Sequence, residues 1–194
     1  MKKILVVVDM QNDFITGSLG TEEAQKIVPN VEKKIESYIA DDHYIIMTQD
    51  THEDDYLETL EGKMLPVKHC IADTEGWKIH ESLIFNKQVV VLEKCTFGTF
   101  QFAVVHLGMD EIKDEDEIEI VGLCTDICVI SNALILRSLY PNNRIICDAS
   151  CCAGTTPEKH DAALEVMKSC QIEVINEPNY SEETFVIGNR RELV

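Results

Sequence analysis

Cations are scarce in this chain. Its 194 residues include 17 Lys and Arg against 35 Asp and Glu, a formal net charge of -18. Binding along a nucleic-acid backbone or an anionic lipid surface needs clustered Lys and Arg, so both partner classes are disfavoured and neither is expected. Long apolar runs are missing as well: no stretch approaches the roughly 20 residues that cross a bilayer. The N-terminal MKKILVVV meets Asp9 at once, with no small-residue cleavage site, so a cytoplasmic protein is expected. No Gly-rich phosphate loop follows the first apolar run, which argues against a non-catalytic, flavodoxin-like nucleotide-binding module. No C-x-x-C pair occurs among the eight cysteines, which removes a structural zinc ribbon. In a chain of this size without an export signal those cysteines are expected to be reduced thiols. The acidic run DEIKDEDEIE, Asp110 to Glu119, reads as a solvated helix end and loop.

What is present is an alternation of short β-branched runs with longer helical patterns. KILVVVD (Lys3 to Asp9), HYIIMTQD (His43 to Asp50), QVVVLEK, IEIVGLC, RIICDAS and IEVIN read as six strands. The first is apolar on both faces, as in a buried parallel sheet. Helical spacing runs from Glu22 to Ile39, with Thr21 as its cap, and further helices are expected near Thr96 to Leu107, Asp126 to Leu139 and Pro157 to Ser169. The pattern predicts one α/β domain over residues 1–194, with a mostly parallel six-stranded sheet in a three-layer α/β/α sandwich.

Ligands of such sheets lie beyond the carboxyl ends of the strands. Those ends carry Asp9, then Asp50 and His52, then Lys94, then the stretch from Cys124 to Cys128. VGLCTDICVIS leaves four readings open: a metal clip, a redox pair, two buried thiols, or one nucleophile with a companion. Cys128 opens an apolar helix, with Thr125 or Asp126 as its cap, and unpaired N–H groups there would lower its pKa and could bind an oxyanion. Asp9 and Lys94 offer a base and a cation. Singly, each has a bland reading as a buried thiol, a turn residue or a surface charge.

VVVDMQNDF (Val6 to Phe14), EKCTFGTF (Glu93 to Phe100) and GLCTDICV (Gly122 to Val129) resemble, in order and spacing, the three signature segments of the isochorismatase-like cysteine hydrolases. The resemblance implies an Asp9, Lys94, Cys128 triad. It also implies a cis Leu123–Cys124 peptide that turns the Cys124 N–H toward that of Cys128 as an oxyanion hole. The loop TQDTHEDDYLETLEGKMLPVKHC, Thr48 to Cys70, carries Asp50, His52 and His69, a donor set suited to zinc, manganese or iron(II). Nicotinamidases resemble it in carrying D-x-H and a later His-Cys. The resemblance therefore implies hydrolysis of nicotinamide to nicotinate and ammonia, within NAD salvage, with the metal orienting the pyridine ring.

Two departures stand out. No His lies between His52 and His69, so Glu61 becomes the expected further ligand, with Glu58 and Asp55 as alternatives. P-V-K-H replaces the P-P-H usual before the last ligand, leaving Phe14 and Phe97 as the matching pocket residues. Trp77 reads as a loop anchor, Cys70 as a neighbour of the ligands, and Cys95, Cys147, Cys151, Cys152 and Cys170 as buried or partly buried thiols. His43, His80, His106 and His160 are expected in structural roles. Rival readings are a metal-independent relative acting on another small amide or ureido substrate, and a redox protein using Cys124 and Cys128. The expected partner is a small amide, and self-association into a homo-oligomer stays open.

Overall fold

β-branched residues crowd the central strands because both faces of a parallel sheet are covered. The computed structural model describes residues 1–85, 89–104 and 112–177. Six strands form one sheet: β1 (Lys3–Val8), β2 (Tyr44–Asp50), β3 (Val90–Lys94), β4 (Glu117–Leu123), β5 (Arg144–Ala153) and β6 (Glu173–Ile175). Their order is β3-β2-β1-β4-β5-β6, and every pairing is parallel. The helices are α1 (Asn12–Ile15), α2 (Glu22–Ala40), α3 (Leu60–Met64), α4 (Ile130–Leu139) and α5 (Pro157–Ser169). The chain winds outward through β2 and β3, then returns to lay β4 on the other side of β1. Right-handed crossovers in opposite directions put α2 on one face and α4 and α5 on the other. The reversal leaves a crevice between the carboxyl ends of β1 and β4, where such sheets bind ligands.

Burial anchors that crevice. Ile4 to Val8 are each at most 2% exposed, and each such side chain stabilises the fold by roughly 1.5–3 kcal/mol. Thr21 accepts the Ala24 N–H and caps α2 as its sequence position predicts.

The acidic run departs from expectation. Asp116, Glu117 and Glu119 are buried, not solvated. Each has a compensating partner: Asp116 accepts the Lys2 N–H, Glu117 pairs with Arg144 and Lys3, and Glu119 takes Lys34 at 2.6 Å and the Tyr38 hydroxyl at 2.6 Å. The helix expected at Thr96 to Leu107 is reduced, among the described residues, to a 3-10 turn at Phe100–Ala103 capped by Thr99. Gly98 lies close against α4, where a Cβ would stand 2.6 Å from Ile135 Cδ1, and the Thr99 N–H donates to Asn132 of that helix in place of a helical partner. His106 and Gln88 fall outside the described residues.

Gly122 carries one local requirement of the sheet. Its φ is 120°, and a Cβ would meet the Val8 carbonyl oxygen at 2.2 Å. The residue sits where β4 slips register against β5, two positions before Cys124. Gly122→Ala is expected to destabilise the fold by about 3 kcal/mol or more, read as a shifted urea midpoint; an unchanged midpoint would contradict this close approach.

Candidate active site

Strand register builds the site. Asp50 and Lys94 are paired positions on β2 and β3, and Asp9 follows β1 directly beside Thr48. Asp9 turns the chain at φ 47°. Its Oδ1 accepts the Thr48 hydroxyl at 2.6 Å, and its Oδ2 lies 2.6 Å from Lys94 Nζ. Lys94 Nζ is also 3.3 Å from Asp50 Oδ1 and 3.7 Å from Cys128 Sγ. One ammonium thus touches two carboxylates and the thiol. Burial pushes Asp9 above its ordinary pKa, against the pull of Lys94. Burial also disfavours the Lys94 ammonium, but the Asp9 and Asp50 carboxylates outweigh it and hold Lys94 protonated.

The thiol differs from its sequence-based expectation. Burial first, then the Asp9 charge, raises Cys128 well above its ordinary value, with Lys94 opposing. A helix start does not overcome desolvation here, so the resting group is a thiol next to a base. Neither Thr125 nor Asp126 caps the helix. The residues Thr125–Val129 form a π-turn ahead of α4, and the cap position, Cys124, makes no side-chain cap bond. Instead Thr125 Oγ1 meets His160 Nδ1 at 2.8 Å, while Asp126 accepts both the N–H and hydroxyl of Thr155 at 2.7 Å. These contacts pin the turn to the segment after β5. The Leu123–Cys124 peptide is cis. Burial, with Asp126 and Asp9 nearby, pushes the Cys124 thiol up to about 12, far from a ready redox partner.

A second cluster adjoins the first. Asp50, His52 and His69 are buried, with donor atoms all within 4.8 Å of one another. The long loop closes because the His52 N–H donates to the Cys70 carbonyl and the Ala72 N–H to that of His52. His69 Nδ1 is 2.9 Å from the Val67 carbonyl, which can only accept, so Nδ1 donates there and Nε2 faces Asp50 and Glu61. His52 Nε2 lies 2.9 Å from Asp50 Oδ2, yet it is buried without a hydrogen bond of good geometry. Two imidazoles and a carboxylate that converge without bonding one another fit a divalent ion. Glu61 Oε1 stands 3.9 Å from both Nε2 atoms, whereas Asp55 and Glu58 are exposed. Tyr56 packs on both imidazoles, with ring centroids 4.7 and 4.9 Å away.

Between the clusters opens a cavity of about 400 Å³, with Cys124, Cys128, Asp50 and His69 on its lining and Phe14 and Phe97 among its apolar walls. Trp77 stays outside it and anchors its loop, donating to Thr51 and accepting from Gln11 and Gln49. Cys95 is exposed, against expectation, on the β3 edge of the sheet. Cys70 is buried beside His69 and donates its N–H to Asp13.

Several supporting residues escaped sequence reasoning. Gln11 clamps the Asp50 backbone through both amide atoms, at 2.7 and 2.8 Å. Asp13 holds the His69 loop through Cys70, and Thr48 orients Asp9. Gln11 and Asp13 lie inside the string that starts at Asp9, which signals that the whole string serves one site. Thr48 carries no such signal.

A family model described as the isochorismatase domain matches residues 3–177. A nicotinamidase from Schizosaccharomyces pombe is 28% identical over 208 residues, covering 89% of this chain and 92% of its own. The crystal structure of a pyrazinamidase from Pyrococcus horikoshii in complex with zinc is 25% identical, with a TM-score of 0.77 over 91% of this chain and 100% of that one. An N-carbamoylsarcosine amidase from Thermoplasma acidophilum is 29% identical, with a TM-score of 0.70 over 90% and 95% of the two chains.

The cluster's titration makes a prediction. Burial disfavours a charged His52, but Asp50 outweighs it and raises the pKa, so a proton competes with an ion for Nε2. Zinc affinity, titrated against a chromogenic chelator, is expected to weaken by about tenfold per pH unit below that titration. A pH-independent affinity from neutral into the mildly acidic range would contradict the assignment.

Proposed function

The chain belongs to the isochorismatase family of hydrolases, and on that premise we propose that it hydrolyses nicotinamide to nicotinate and ammonia through a thioester on Cys128. The observation that carries this reading is the position of Lys94, whose Nζ contacts Asp9, Asp50 and Cys128 together. It supports reading the thiol and the Asp50, His52 and His69 cluster as parts of one site. Asp50, His52 and His69, with Glu61 alongside, are the residues that would hold a divalent ion, zinc first. A bound ion supplies a Lewis-acidic point for the pyridine nitrogen, directly or through water.

The protein's own groups account for the chemistry. Asp9 takes the proton from Cys128, and the Lys94 charge steadies the thiolate as it forms. The thiolate attacks the amide carbon, while the N–H groups of Cys124 and Cys128 receive the oxyanion. Asp9 returns its proton to the nitrogen as the C–N bond breaks, which releases ammonia and leaves a thioester. Asp9 then takes a proton from water, the resulting hydroxide adds to the thioester carbon, and the C–S bond breaks. The proton returns to sulfur, giving nicotinate and the resting enzyme. Phe14 and Phe97 flank the ring in this arrangement.

A metal-independent amidase acting on a small ureido or amide substrate is the second reading, favoured by the likeness to the carbamoylsarcosine enzyme. Ammonia release from a panel of small amides, with and without chelator, separates the two. Nicotinamide turnover is expected to vanish on metal removal and to return with zinc or manganese; full turnover by metal-free protein would sink the metal role. Cys128→Ala is expected to lose at least about 1000-fold in kcat, because the covalent route disappears. Since Asp9 must begin as a carboxylate and burial raises its pKa, kcat/KM should fall as pH drops, through a limb above the ordinary 3.8. A limb at or below that value would rule out Asp9 as the base.

A further inference from the structure

Asn132 lies on α4, four residues after Cys128, and is fully buried. Both its amide nitrogen and its amide oxygen have partners. Nδ2 donates to the Cys128 carbonyl at 2.8 Å and to the Phe97 carbonyl at 3.2 Å, and Oδ1 accepts the Thr99 N–H at 2.9 Å. A buried amide costs free energy unless each partner is in place, so this one tolerates little relative motion of the groups it joins. Those groups are the backbone of the candidate nucleophile and the loop from Phe97 to Thr99, whose Phe97 lines the cavity. A separate feature points the same way. Gly98 rests on α4, where a Cβ would stand 3.3 Å from Ser131 and 2.6 Å from Ile135. Phe97 itself is 49% exposed, so side-chain packing holds it only in part. Its backbone carbonyl is held by the Asn132 amide.

We propose that Asn132 is a positioning residue that locks the Phe97 wall of the substrate cavity to the Cys128 turn, so that ring placement and thiol placement are set together. This rests on the reading of Cys128 as the nucleophile. An apolar residue would fill the same space on α4 but would leave the wall and the turn free to shift against each other. The aromatic ring would then meet a thiol displaced from its Lys94 contact.

The test compares Asn132→Ala and Asn132→Thr, each alone and combined with Phe97→Ala. A threonine hydroxyl on a helix can bond the carbonyl four residues back, so it keeps the link to Cys128 but cannot reach the loop. Asn132→Thr is expected to raise KM about tenfold, with a much smaller fall in kcat. Asn132→Ala should raise KM similarly and lower kcat about tenfold as well. In the Phe97→Ala background the KM effect of either substitution should shrink below about twofold, because the wall it positions is gone. Iodoacetamide labelling of Cys128 should slow several-fold in Asn132→Ala and recover in Asn132→Thr. Lower thermal stability with unchanged KM, kcat and labelling would reduce Asn132 to a structural role and overturn the proposal, as would KM effects fully additive with Phe97→Ala. A wild-type protein that leaves every amide intact would instead overturn the proposed function, and labelling alone would then decide the link to Cys128.

Discussion

A buried ammonium between two carboxylates is the constraint on which the rest of the site depends. Lys94 is 4% exposed, and a cation at such depth costs several kcal/mol unless paired. Asp9 at 2.6 Å and Asp50 at 3.3 Å supply the pairing. Deleting the lysine would leave two buried carboxylates without their shared cation, a loss on the order of 3–5 kcal/mol for a broken buried pair. Three strand ends, β1, β2 and β3, each contribute one member, with Asp50 and Lys94 paired in register.

Asp50 joins the two halves of the site. One of its oxygens faces Lys94 and the other faces His52. Asp50 thus links the Lys94 contacts electrostatically to the cluster of His52 and His69 through a single carboxylate. Burial, with the charges of Asp9 and Asp50 close by, holds the Cys128 thiol well above its ordinary pKa. Groups outside the reaction hold the geometry. Thr125 and Asp126 fix the turn to the β5 side, Asn132 fixes it to the β3 side, and Gln11 holds the Asp50 backbone.

The six strands were legible because β-branched runs bounded by polar residues have few other physical solutions in an alternating chain. The convergence of Asp9, Asp50, Lys94 and Cys128 followed from where those runs stop. Three things were not legible. Burial of Asp116, Glu117 and Glu119 depends on Lys34, Arg144 and a backbone N–H that lie far away in sequence. The loop at Phe97 to Thr99 depends on contact with α4, which local helical pattern cannot express. The thiol's raised pKa depends on depth, and sequence position at a helix start suggested the opposite sign. In each case a long-range contact overrode a local preference.

In the proposed mechanism Cys128 carries the acyl group. The direct measurement is acid-quench mass spectrometry of the zinc-loaded protein during turnover of nicotinamide, with peptide mapping. A nicotinoyl adduct is expected, confined to the peptide bearing Cys128, abolished in Cys128→Ala and discharged when the quench is delayed past substrate exhaustion. Steady turnover in Cys128→Ala, or an adduct on another residue, would contradict it.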